Sequence, residues 1–322
     1  HNCVRRHDRL ASADPTNRTQ GTIVPQDLAR QARSANFLKY GFVVPAIALL
    51  IALNIFPLIY TIVLSFTDAT LTSSESAWVG VRNYGKVFSG GDYGTALRTT
   101  GVFVVVAVAI ELLLGFAMAM ALKNDFRGKT PIMTIVLVPM MLSPAVMGLY
   151  WTIILNGHYG VLNQILAFGM SNPPQWLTEH KLASILLIDI WMWTPFMMLI
   201  ALAGLNSIPQ YIYEAAEIDR ASRWRVFSRI TLPMCAPLLV LAVLLRTTDA
   251  LKQFDLVMAL TGPNDQATQT LSACLYQKMI REQELGLGAA YALVVLVMVI
   301  ALATVFTRYI GWIQQKQGRT DP

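Results

Sequence analysis

Ala289-Ala-Tyr-Ala-Leu-Val-Val-Leu-Val-Met-Val-Ile-Ala-Leu-Ala-Thr-Val-Phe306 contains no charge at all. Wound as an α-helix at 1.5 Å per residue, such a run extends about 27 Å, close to the roughly 30 Å of a bilayer's hydrocarbon core. It reads as a membrane span, and it supplies the ruler for the rest of the chain. Walking that ruler along the sequence gives six spans, near 41–66, 99–122, 131–155, 182–203, 236–260 and 286–309. The expected fold is therefore all-α and polytopic, with a polar tail over 1–40, a six-helix membrane domain over 41–310 and a short polar end over 311–322.

Composition agrees. Of 322 residues, 55% are hydrophobic and only 14% are charged, against roughly 45–50% and about 25% in soluble domains. The net charge of +6 and pI near 9.3 do not point to nucleic acid. Lys and Arg instead divide unevenly between alternate loops: seven in 1–40, three in 123–130, four in 204–235 and three in 308–322, against six on the other side (Arg82, Lys86, Arg98, Lys181, Lys278, Arg281). By the positive-inside rule both termini face the cytoplasm. Arg5, Arg6 and Arg9 are followed by polar sequence, so no signal peptide is expected.

Site chemistry is sparse. Cys3, Cys235 and Cys274 lack metal or redox spacing, and His1, His7, His158 and His180 are scattered. Gly128-Lys129-Thr130 suggests a phosphate loop, but that motif needs a glycine at 123, where Lys123 stands. Catalytic residues, bound cofactor and metal are accordingly not expected on this chain.

The loop 206–233 is the informative one. Ser207 and Pro209 signal a helix start. Tyr211, Ala215, Ile218 and then Trp224, Phe227 and Ile230 recur at helical spacing among Glu214, Glu217 and the arginines, which predicts two short amphipathic helices on the membrane surface. Glu214-Ala215-Ala216, Asp219, Ala221, Phe227, Ile230, Leu232-Pro233 and Pro237 closely resemble the EAA loop of ABC importer permeases. Trp78-Val-Gly-Val-Arg-Asn-Tyr84 and Trp193-Thr-Pro-Phe196 are similar to other family segments, and Phe254-Asp255 with Leu260-Thr-Gly-Pro263 is similar to the carbohydrate-uptake branch.

The resemblance implies a bacterial inner-membrane permease. Its partners would be a second, similar permease, a dimer of ATPases holding ATP and Mg, and an extracytoplasmic solute-binding protein. The coupling residues it implies are Glu214, Ala215, Ala216, Asp219, Arg220, Ala221 and Phe227. Arg220 stands where the family usually has Gly; if the position is left-handed, Arg bears a strain of order 1 kcal/mol there.

Ionisable groups inside spans are costly and usually functional or paired. On the fifth span Arg246, Asp249, Lys252, Gln253 and Asp255 share one half of the helical wheel, with opposite charges at i,i+3 forming a neutral ladder. The ladder either ties helices together or lines the substrate path. Tyr150, Trp151, Trp191, Trp193 and Phe196, with Asp189 nearby, are the aromatic candidates for a sugar ring, and Glu111 is expected to pair internally. Two rival functions stand beside the importer: an ion-coupled secondary transporter using Asp189, Glu111 and the fifth-span charges, and a membrane enzyme, for which no catalytic constellation is visible.

Overall fold

A computed structural model describes residues 40–318 except 42, 74 and 168–172. The tails 1–39 and 319–322, with His1, Cys3, His7 and the basic residues counted there, lie outside the described residues. The chain divides into two compact units, His1–Ile59 and Tyr60–Pro322.

Among the described residues, five helices are long and apolar enough to cross a membrane: α1 (Val43–Ser65), α3 (Gly91–Leu122), α7 (Lys181–Asn206), α9 (Arg223–Ala250) and α12 (Leu285–Gly318). Between α1 and α3 lies α2 (Arg82–Ser89). The sixth expected span, 131–155, is not continuous. It forms α4 (Lys129–Leu137), a 3-10 turn at Pro139–Met141, and α5 (Pro144–Ile154). The prolines explain the break: Pro139 has no N–H to donate, and Pro144 holds Ser143 extended at φ −67°, ψ 130°. Gly128-Lys129-Thr130 is the start of α4, with Gly128 at φ 95° as its cap. There a hydrogen bond from Lys129 keeps the Asp125 carboxyl below its ordinary pKa. The short α6 (Val161–Ala167) follows α5.

The fifth expected span, 236–260, also differs. Its helix α9 begins earlier, at Arg223, and stops at Ala250; a turn over Leu251–Phe254 separates it from α10 (Asp255–Leu260). Gln253 accounts for the stop. Its side-chain Oε1 accepts from the Phe254 N–H at 3.1 Å, the kind of local bond that competes with the helix ladder.

In Tyr60–Pro322, α3 packs along α7 and α9 along both α7 and α12. Lipid offers no hydrophobic drive between helices, so small residues that permit close approach carry this packing. At Gly115 a Cβ would lie 2.6 Å from the Met197 Cβ and 2.8 Å from the Met198 nitrogen. Phe103, Ala107, Ile185, Ile188, Met192 and Met197 fill the middle of the bundle, while Ala119, Ala201, Leu205, Ile208 and Cys235 fill the end nearest the 206–233 loop.

The opposite end is closed by α2, α11 (Leu271–Tyr276) and the first turns of α12, packed through Val87, Tyr93, Leu271, Cys274 and Tyr291. The Trp78–Tyr84 segment belongs here. Trp78 stacks on Phe66, and Asn83 donates to the Ser65 and Thr67 carbonyls at 2.9 and 2.8 Å.

Candidate functional site: an exposed loop and a buried charge cluster

The loop is built from α8 (Gln210–Ile218) and the first turns of α9. Ile212, Tyr213 and Ala216 turn toward the bundle. The opposite face presents Tyr211, Glu214, Ala215 and Ile218 to solvent, Ile218 at 82% exposure. Lys123 reaches the Tyr213 ring at 3.6 Å, and the Tyr213 hydroxyl lies 3.2 Å from the Thr231 hydroxyl, so α8 is held against both neighbouring segments.

Arg220 closes α8. The Ala221 N–H donates to Ala216 O at 2.9 Å and the Arg220 N–H to Glu217 O at 3.0 Å, the Schellman arrangement, which needs a left-handed residue between them. Arg220 supplies it at φ 49°. Ser222 then caps α9 by accepting from the Arg225 N–H at 3.3 Å. The second short helix expected here is not separate. It runs through a π-turn at Phe227–Thr231 directly into the span, because Ser222 starts a helix that nothing afterwards stops: Pro233 falls beside the π-turn, where the missing N–H is tolerated. Trp224, 74% exposed, stacks on Phe227, whose ring meets Phe116 of α3.

The second feature lies inside the bundle. Arg246 of α9 donates from Nε to Glu111 Oε2 at 2.8 Å and from Nη2 to Glu111 Oε1 at 3.1 Å. Its Nη2 also bonds Asp189 of α7, and its Nη1 reaches Asp249 at 3.3 Å. The guanidinium carbon sits 4.9 Å from the Trp193 ring, and Trp193 meets Phe196 edge-on. Arg246, Glu111 and Asp189 are all buried, whereas the Asp249 side chain is 52% exposed. Three spans thus meet on one cation.

This corrects the ladder. Only its Arg246–Asp249 rung forms; Lys252 and Asp255 are exposed, and no ion pair joins Lys252 to either aspartate among the described residues. The turn at Leu251–Phe254 destroys the i,i+3 register beyond Asp249, and Arg246 takes its strongest partners from other helices. Gln253 donates to Asp189 Oδ1 at 2.8 Å. Glu111 has the internal partner expected of it. Tyr150 is exposed on α5, and Trp151 packs edge-on against Trp191 at 5.7 Å. Sequence reasoning missed Tyr213 and the Glu111–Arg246–Asp189 convergence, although the cost of unpaired charge in a membrane was a signal for the latter.

Residues 111–319 match the family described as binding-protein-dependent transport system inner membrane component. The chain is 33% identical over 273 residues, 84% of its length and 92% of the relative's, to the trehalose/maltose transport system permease protein MalF of Thermococcus litoralis. It is 31% identical to the trehalose transport system permease protein SugA of Mycobacterium tuberculosis, over 85% of this chain and 89% of that protein. A bacterial ABC transporter structure described as importing the acidic polysaccharide alginate has a chain of the same fold, with a TM-score of 0.76 at 19% identity, covering 89% of this chain and 99% of that one. With the loop, the multi-span bundle and these likenesses in agreement, the chain belongs to the inner-membrane permease family of binding-protein-dependent ABC importers.

Proposed function

We propose that the chain is a translocation subunit of an ATP-driven importer for a carbohydrate or related polar solute. The solute is delivered by an extracytoplasmic binding protein, and ATP and Mg act on separate ATPase subunits. The observation that carries this reading is the outward face of α8, where Tyr211, Glu214, Ala215 and Ile218 stand exposed, with Trp224 exposed in the first turn of α9 that follows. Such an apolar face with carboxylates fits a cleft on a partner better than free solvent. In this reading Glu214, Ala215, Ala216, Asp219, Arg220, Ala221 and Phe227 form the contact and its support, both termini lie in the cytoplasm, and a second permease completes the pathway.

The carbohydrate assignment is carried over from relatives whose names specify trehalose and maltose. The substrate path runs past the turn at Leu251–Phe254, where Asp249, Lys252 and Asp255 are accessible and Gln253 and Trp193 lie close by. The ion-coupled alternative loses its motive, because Glu111 and Asp189 are engaged by Arg246.

Co-purification tests the reading. The wild-type permease should retain an ATPase partner through affinity purification, and Glu214→Arg should lose most of it; equal retention by both would refute the docking role of α8.

A further inference from the structure

Thr268, Gln269 and Thr270 are three consecutive polar residues, all buried, in the segment between α10 and α11. Burying a run of this kind is costly unless every group is bonded, and here the bonds lead into the membrane. The Thr270 hydroxyl accepts from the Ala273 N–H at 3.3 Å as the cap of α11, and donates to the Gln253 carbonyl at 2.8 Å. The next residue, Leu271, donates its N–H to the Thr100 hydroxyl of α3 at 2.9 Å. Gln253 in turn holds Asp189 at 2.8 Å, and Asp189 holds Arg246. An unbroken line of hydrogen bonds therefore connects the cap of α11 to the charge cluster and to the side of α7.

We propose that Gln253 is a positioning residue that makes the 261–281 segment and α7 move as one. α7 continues through Ser207–Pro209 into α8, so a displacement at Thr270 is delivered to the docking face of α8. The turn over Leu251–Phe254 exists to present Gln253 in two directions at once, its carbonyl toward Thr270 and its amide toward Asp189. This rests on reading 261–281 as the extracytoplasmic end and α8 as the ATPase contact, and it adds to that reading the residue through which the two ends communicate. Other polar groups of the 261–281 segment pair among themselves or with the start of α7: Lys181 bonds Asp265, Gln269 bonds Gln277 at 2.5 Å, and Thr261 bonds Thr268 at 2.7 Å.

Hydrogen exchange on the transporter in lipid nanodiscs tests this, with the 207–221 peptides as readout. Thr270→Val, which keeps the shape and deletes both hydroxyl bonds, should raise exchange there at least threefold, and Thr270→Ser should restore the wild-type rate. Gln253→Glu should do the same as Thr270→Val, and adding Asp189→Asn, which offers the amide from the other side, should recover at least half of the loss. Changes confined to 261–276 in Thr270→Val, or a double variant no better than Gln253→Glu, would overturn the proposal. Loss of the ATPase from the wild-type complex would instead count against the docking reading, and the exchange comparison can still be made on the permease alone.

Discussion

Arg246 and Glu111, 135 positions apart in sequence, meet in the bundle interior through two parallel hydrogen bonds of 2.8 and 3.1 Å. Fork-to-carboxylate pairing of this kind fixes orientation as well as distance. Because both side chains are buried, removing one partner strands the other, and the stranded charge sets the cost.

Arg246→Met in the presence of an intact Glu111 and Asp189 should therefore destabilise the bundle by about 3–5 kcal/mol, and the triple replacement of all three by apolar residues of similar volume by much less. Thermal unfolding of both proteins in the same detergent gives the comparison, and equal losses would show that the cluster is not acting as a unit.

Arg220 bears left-handed strain that glycine would not. Arg220→Gly should stabilise the loop by about 1 kcal/mol or less, since glycine also frees the unfolded chain, while Arg220→Val should destabilise it. Differential scanning of the three proteins reads the order Gly, Arg, Val; a more stable valine variant would contradict the Schellman closure of α8.

At Gly115 no side chain fits between α3 and α7. Gly115→Val should force the helices apart and abolish assembly, with Gly115→Ala intermediate, scored as the fraction of folded protein recovered from membranes. Gly101, on the same helix, has no atom within 4 Å of an added Cβ, so Gly101→Ala serves as the control and should behave as wild type.

Burial pushes the Cys274 thiol up to about 11. At pH 8 only about a thousandth of it is thiolate, the nucleophilic form. Cys274 should resist maleimide in the folded transporter and react fully once unfolded, as mass spectrometry of the 271–281 peptide would report; rapid labelling in the native state would place the thiol at an accessible surface.

Much of the design is written locally in the chain. The span of α12 follows from eighteen uncharged residues, and the strained turn at Arg220 from the position of one residue between two amphipathic runs. What the sequence did not disclose is pairing between helices. Which of Glu111, Asp189, Asp249 or Asp255 neutralises Arg246 depends on how α3, α7 and α9 rotate about their own axes, and a single helical wheel contains only the last two. The interruptions were legible in part: Pro139 and Pro144 announce a broken helix, but a window averaged over apolar residues hides them. Gln253 carried no such mark, since its effect depends on Thr270, which lies seventeen residues further along.

The continuity of α9 from Arg223 to Ala250 has a mechanical meaning. Trp224 and Arg246 sit on one rod, about 33 Å apart along its axis at the helical rise. Pivoting that rod by roughly 10° at its loop end would carry the guanidinium about 6 Å, further than any of its hydrogen bonds can stretch. If Glu111 and Asp189 stayed in place such a stroke would break the cluster, and if the cluster holds then α3 and α7 must travel with α9, so the buried ions decide whether the three helices move together.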